Sequence, residues 1–284
     1  MINFFLQLAS KNFKSETISI QDIHKSKKIL FALFTRYGDT IINLVIIREF
    51  IEIFPGKDYM VLCPIQMQPY VEEILPNIKV ISVNKRNFFQ MLYANKVLKK
   101  WKPDIGFNPW SNGLDSCFFI SYSKKYQCYR EFKFKNPINH YEVVRNYLKT
   151  PTKKFFLTKD KPKSAYKKIL ICPESTDLNR SMSLNELNLL IEKIRATYSA
   201  DLTIAAISSV FKSRNSNINF FQFSKSRESS KNFIGIIKSH DLIFTVDSAP
   251  LHLSIALNID TFPIFKSTSE ALVLNTNSKV IYDF

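Results

Sequence analysis

Short apolar runs alternate with helix-length segments along most of this chain, and midway the alternation starts over. KILFALF (28–34) reads as a buried strand, TRYGDT (35–40) as a turn, and IINLVIIREFIEIF (41–54) as a helix stopped by Pro55-Gly56. DYMVLC (58–63), QPYVEEIL (68–75), KVISV (79–83), FFQMLYANKVLKKW (88–101) and DIGFNP (104–109) continue as strand, helix, strand, helix and strand. A stretch rich in Lys, Thr and Pro (149–168) interrupts the series. The series restarts with KILIC (168–172), a polar loop PESTDLNRSMS (173–183) and a helix LNELNLLIEKIRATY (184–198). DLTIAAI (201–207), ESSKNFIGIIKS (228–239) and LIFTV (242–246) follow as strand, helix and strand. Strands separated by helices pair in parallel, because a parallel return needs a crossover. The expected fold is α/β, with two Rossmann-like domains. Its parts are a helical extension (1–27), an N-terminal domain (28–150), a linker (151–167) and a C-terminal domain (168–284).

The extension looks amphipathic through Ile2, Phe5, Leu6, Ala9 and Phe13. It reads either as a helix packed on the domain or as one lying on a membrane surface. A 45% hydrophobic content with 25 Phe and 12 Tyr excludes a disordered chain. Forty Lys and Arg against 24 Asp and Glu leave a net charge of +16, a field that favours phosphorylated partners or anionic lipid. No basic-aromatic motif of a nucleic-acid reader accompanies that charge, so nucleic acid is not an expected partner. Cys63, Cys117, Cys128 and Cys172 are scattered, without the spacing of a metal site, and read as reduced thiols. No apolar run reaches the ~18–20 residues of a membrane span. The start lacks a basic n-region and cleavage site, so a cytoplasmic protein is expected.

Three stretches carry candidate chemistry. In TVDSAPLHLSIAL (245–257) a strand ends at Asp247 and Ser248, and a helix follows with Pro250 in its first turn and His252 one turn inside. Ligands of parallel α/β sheets bind beyond the carboxyl ends of strands, near helix N-termini. Asp247 is thus expected on a crevice rim, with Ser248 as the N-cap. In TRYGDT, Gly38 is one of only five glycines and suits a tight turn with close backbone approach. Asp39 beside it is either a crevice residue or an ordinary N-cap. In PESTDLNRSMS, Ser175, Thr176 and Arg180 can cradle a diphosphate, since a guanidinium grips phosphate oxygens two at a time.

Together these stretches resemble glycosyltransferase family 9, the ADP-heptose:lipopolysaccharide heptosyltransferases. RYGDTIINLVIIREFIEIFP is similar to that family's first strand-turn-helix, and HDLIFTVDSAPLHLSIALNIDTFPIF to its second hallmark. STDLNRSMSLNELNLLI resembles its donor-diphosphate loop, and INHYEVVRNYLK the segment leading out of its first domain. The resemblance implies two Rossmann-like domains facing across a cleft (the GT-B arrangement) and inverting, metal-independent transfer without a cofactor. Asp39 would be the base, with Arg36 and Gly38 on the acceptor side. Ser175, Thr176, Arg180, Asp247, Ser248, Ala249 and His252 would hold the nucleotide sugar, expected to be ADP-heptose. The implied acceptor is an anionic, lipid-linked inner-core sugar of lipopolysaccharide or lipooligosaccharide, met at the inner face of the bacterial inner membrane. The chain departs from the family in having Arg180 and Met182-Ser183 where lysine and tryptophan-proline are usual. Phe265-Lys266-Ser267-Thr268 stands where the family has a phenylalanine-glycine-proline-threonine turn, and 208–217 holds no acid for an adenosine. Those departures leave two alternatives, a same-fold transferase for another nucleotide sugar and a non-catalytic relative that binds membrane surfaces.

Overall fold

The computed structural model describes residues 15–111, 113–131, 139–152, 162–212 and 217–267. The chain forms two compact units, Met1–Thr152 and Lys153–Phe284. In the first, helix α1 (Ile20–Lys25) precedes strand β1 (Lys28–Ala32), α2 (Tyr37–Ile53), β2 (Asp58–Pro64), α3 (Gln68–Ile74) and β3 (Lys79–Val83). α4 (Phe88–Trp101), β4 (Ile105–Phe107), α5 (Leu114–Ile120), β5 (Lys125–Gln127) and α6 (His140–Leu148) complete it. The second unit runs β6 (Lys168–Cys172), α7 (Leu184–Thr197), β7 (Asp201–Ala206), β8 (Ile218–Gln222) and α8 (Arg227–Lys238). It closes with β9 (Leu242–Val246), α9 (Ala249–Ala256) and β10 (Asp260–Ile264).

Each unit holds a five-stranded sheet whose described pairings are all parallel, in the orders β3-β2-β1-β4-β5 and β10-β9-β6-β7-β8. Read from the opposite edge, the second order repeats the first. In both, the chain winds outward from its first strand, then returns to that strand's other side. The central strands are buried on both faces, which is why KILFA, KILIC and LIFTV are almost wholly apolar. The helices supply the opposite pattern. α7 buries Leu187, Leu190, Ile191 and Ile194, and α8 buries Ser230, Phe233, Ile234 and Ile237, one stripe each at the helical period.

The two sheets share a device at their lower ends. The Asp104 carboxylate, just before β4, accepts the backbone N–H groups of Lys27 and Lys28 at 2.9 and 3.0 Å. Asp241, just before β9, accepts those of Lys167 and Lys168 at 2.8 and 2.9 Å. Each acid ties the start of its unit's first strand to the start of the fourth. The Asp104 carboxyl is held down at about 2: burial opposes this, and Lys124 with the two N–H groups outweighs it.

Three sequence expectations change here. The first long helix begins at Tyr37 rather than at 41, because extended Arg36 (φ −70, ψ 166) already makes the turn. Gly38 therefore lies in the first helical turn and serves no left-handed turn. The expected helical extension is helical only over Ile20–Lys25 among its described residues, capped by a reciprocal Ser19–Asp22 pair. Residues 15–19 instead run along β5, where the Glu16 N–H reaches the Tyr126 carbonyl at 2.9 Å and the Ile18 N–H reaches Gln127 Oε1 at 2.9 Å. Ile18 and Ile23 are buried. Ile2, Phe5, Leu6, Ala9 and Phe13 lie outside the described residues, as do most of the expected linker and the chain after Ser267.

Candidate functional site

In a sheet that reverses its winding, the crevice opens where the first and fourth strands lie side by side, beyond their carboxyl ends. In the second unit that pair is β6 and β9, in register from Ile169 opposite Leu242 to Cys172 opposite Thr245. The loop after β6 and the turn after β9 therefore leave the sheet at the same level. One contact joins them: Arg180 donates from Nη1 to the Asp247 carboxylate at 3.0 Å. Asp247 is 4% exposed, whereas a quarter of the Arg180 side chain is open to solvent. Arg180 Nε stands 3.4 Å from Asp177 but lacks hydrogen-bond geometry, and this buried donor has no partner.

The loop holds its own shape. The Ser175 N–H donates to Ser181 Oγ (2.9 Å), that hydroxyl donates to the Ser175 carbonyl (3.2 Å), and the Met182 N–H closes on the Pro173 carbonyl (2.8 Å). Thr176 is exposed. Glu174 reaches the other way and accepts the N–H groups of Ile207 and Ser208, beyond β7, at 2.6 and 2.9 Å. That stretch has no acid of its own, so Glu174 brings a carboxylate to it.

Lys266 anchors the loop from beyond β10. Its ammonium donates to the Ser181 carbonyl at 2.9 Å and to Glu186 at 2.8 Å. The residue that stands where the resemblance expected glycine thus ties the loop's far end to the start of α7. Ser183 and Glu186 form a capping box there. The Lys266 hydrogen bond, then the Ser183 N–H, lowers Glu186 from 4.5 to about 2. A carboxyl depressed in the folded state adds stability above its unfolded value, and the contribution fades as pH falls toward the folded one. The Glu186→Gln variant is accordingly expected to melt lower than the parent at pH 6, with the gap closing between pH 4.5 and 2. Thermal melts across that range check this, and a gap that persists at pH 2 would remove the pair as its cause.

After β9, Ser248 occupies the N-cap position of α9 but does not cap it. Its hydroxyl donates back to the Val246 carbonyl at 3.3 Å. Ala249 and Pro250 form the first turn, and His252 is buried one turn in. The expected capping bond is thus absent, since extended Ser248 (φ −160, ψ −178) turns its hydroxyl toward the strand it leaves.

In the first unit the corresponding pair is β1 and β4, with Ile29 opposite Ile105 and Phe31 opposite Phe107. After β1 come Arg36, Gly38 and Asp39. Arg36 is exposed and is the N-cap residue of α2, with no side-chain capping bond. Asp39 is therefore not the N-cap; it sits half-buried at the third helical position. One turn on, on the same face, Asn43 donates to the Pro109 carbonyl beyond β4 at 2.9 Å. Asp39 lies near enough to Tyr129 to act on it: burial first, then the Asp39 charge, pushes the phenol up to about 12.

The loop after β4 was not singled out in the sequence. Buried Asn108 donates to the Ser111 carbonyl and Ser116 Oγ, and its Oδ1 accepts the Tyr129 N–H at 2.8 Å. Trp110 takes a left-handed conformation (φ 54) and packs against His140 with centroids 4.8 Å apart. FNPW offered a signal, a polar, aromatic turn directly after a strand. The ends of β1, β2 and β3 frame a recess of about 260 Å³ that includes Phe34, Thr35, Gln66, Asn84, Lys85 and Arg86. Among the described residues, no group of three His, Cys, Asp or Glu is placed to hold a metal ion.

Neither a family model nor a curated protein matches the sequence. Solved structures do match. The glycosyl transferase family 9 protein of Veillonella parvula has a TM-score of 0.67 at 12% identity, over 94% of this chain and 89% of that one. The E. coli ADP-heptose lps heptosyltransferase II gives 0.65 at 13%, over 89% and 90%. The E. coli heptosyltransferase WaaC, solved with ADP, gives 0.63 at 11%, over 86% and 89%. At these identities the likeness is one of fold: two parallel five-stranded sheets, each layered with helices, as in these transferases.

Proposed function

We propose that the chain is a glycosyltransferase of the heptosyltransferase type, moving heptose from ADP-heptose to an anionic, lipid-linked inner-core sugar at the inner face of the bacterial inner membrane. The observation that carries this reading is the Arg180–Asp247 contact, which joins two separate polar segments at the strand reversal of the second unit. Its open side, the quarter-exposed Arg180 guanidinium beside the uncapped N-terminus of α9, suits a diphosphate. Asp247 takes the sugar hydroxyls, and Ser175, Thr176, Ser248 and Ala249 line the phosphate side. His252 steadies the turn from beneath.

On the first unit, Asp39 is the base, with Arg36 and Gly38 toward the acceptor. As the acceptor oxygen attacks the anomeric carbon from the face opposite the leaving group, its proton passes to Asp39 and the configuration inverts. The nucleoside diphosphate leaves with the bonding pair. Arg180 and the helix N-terminus stabilise its growing charge without a divalent ion.

The test is donor binding. ADP-heptose or a related nucleotide sugar is expected to raise the melting temperature by mass action, and transfer to persist in EDTA. Arg180→Ala is expected to weaken donor binding by about ten- to a hundredfold, the worth of a charge-assisted hydrogen bond of ~1.5–3 kcal/mol. Arg180→Lys restores only part, since it keeps the charge but not the fork. Donor-induced stabilisation that survives Arg180→Ala unchanged would remove Arg180 from the site, and strict dependence on Mg²⁺ would overturn the metal-free chemistry. Screening nucleotide sugars side by side decides the base and the sugar.

A further inference from the structure

The solvent side of α4 carries a feature that sugar transfer leaves unused. Phe88, Phe89, Leu92 and Tyr93 are exposed there, Phe89 at 79%. The rings of Phe88 and Phe89 meet edge to face with centroids 6.0 Å apart. These four positions fall on one helix face, while Met91, Ala94 and Leu98 bury the opposite one. Scattered exposed hydrophobics are ordinary; four large ones side by side mark an interaction surface.

The charge on the same face identifies the partner. One turn further along, the aromatic face passes into exposed Lys96, Lys99 and Lys100. Exposed Arg86 lies just before the helix, beside Lys85, which pairs with Asp115 and covers the Phe34 ring. From Leu75 to Pro103 the sequence contains no Asp or Glu. A second copy of this face would repel the first. A surface carrying negative charge above an apolar layer complements it, with rings entering the layer and amines reaching up to phosphates.

We propose that this face of α4 docks the protein onto an anionic lipid bilayer, with Phe88, Phe89, Leu92 and Tyr93 inserted and the lysines on the headgroups. The transferase reading gives the docking its purpose, a lipid-linked acceptor, but the docking itself requires neither donor nor acceptor. The full chain is tested by co-sedimentation with phosphatidylcholine vesicles, with and without phosphatidylglycerol. It should bind the anionic vesicles and lose that binding as salt rises. Phe88→Ser with Phe89→Ser, and separately Lys96→Gln with Lys100→Gln, should each weaken binding by about tenfold or more while the melting temperature holds. Variants that bind like the parent, or a parent indifferent to phosphatidylglycerol, would overturn the proposal. So would an oligomer of the parent that Phe88→Ser with Phe89→Ser dissociates. Donor-induced stabilisation, measured alongside, stands or falls separately and reports on the transferase reading alone.

Discussion

Exchanging Asp39 for Asn is expected to lower sugar transfer by about 10²–10⁴-fold, the usual worth of a positioned general base. Asn keeps the size and much of the hydrogen bonding of Asp but cannot take up the acceptor's proton. Asp39 lies at the third position of α2, and Arg36 rather than Asp39 is the N-cap residue. In the fold, Asn also gives up the attraction of a carboxylate for the helix N-terminus, about 0.3–1 kcal/mol. The proposed donor residues all belong to the second unit, so donor-induced thermal stabilisation should not move. Turnover and donor stabilisation are therefore read on the same variant. Full turnover in Asp39→Asn would leave the mechanism without its base.

A loss of similar weight, in stability rather than rate, is expected from Arg145→Ala. The Arg145 side chain is wholly buried and donates to both Glu49 oxygens at 2.9 Å, and to Glu142 at 2.7 Å. Glu49 is on α2 and Arg145 on α6, so the pair bolts together two helices of the first unit. Removing the guanidinium strands the Glu49 carboxylate in a closed interior, which costs about 3–5 kcal/mol. Against a whole-domain margin of ~5–15 kcal/mol, that is a large share. A double variant, Arg145→Met with Glu49→Leu, removes both charges and should recover much of the loss. Denaturant unfolding of the three proteins checks this. An Arg145→Ala variant as stable as the parent would mean that Glu49 finds water or another partner.

Much of the fold was written locally. KILIC and LIFTV carry their strand bounds because each is an almost wholly apolar run, KVISV because its β-branched residues are concentrated in five positions, and FFQMLYANKVLKKW its helix because its core stripe repeats at the helical period. The strands that escaped notice, KYQ and INFFQ, sit at sheet edges, where half of each strand meets solvent and alternation fades. α5 was missed because seven residues hold less than two helical turns of pattern. Of the proposed site residues, Asp247 stood out because it directly follows a strand, and Asp39 and Arg180 because they lie in segments that lead from a strand into a helix. Lys266 and Glu174 were not, since their partners lie 80 residues away at Glu186 and 33 residues away at Ile207. Arg145 looked like any basic helix residue, because Glu49 stands 96 positions earlier.

The paired aspartates beneath the sheets, Asp104 and Asp241, bear on how such a chain can change over time. Each fastens the two strands whose upper ends form its unit's crevice, and does so at the opposite end. A slip of one residue between those strands would turn every side chain over, and the clasp resists it without touching the loops above. Alignment is thus guarded at one end and chemistry written at the other. The turns at 108–111 and 173–183 can change in sequence while the scaffold beneath keeps its registration.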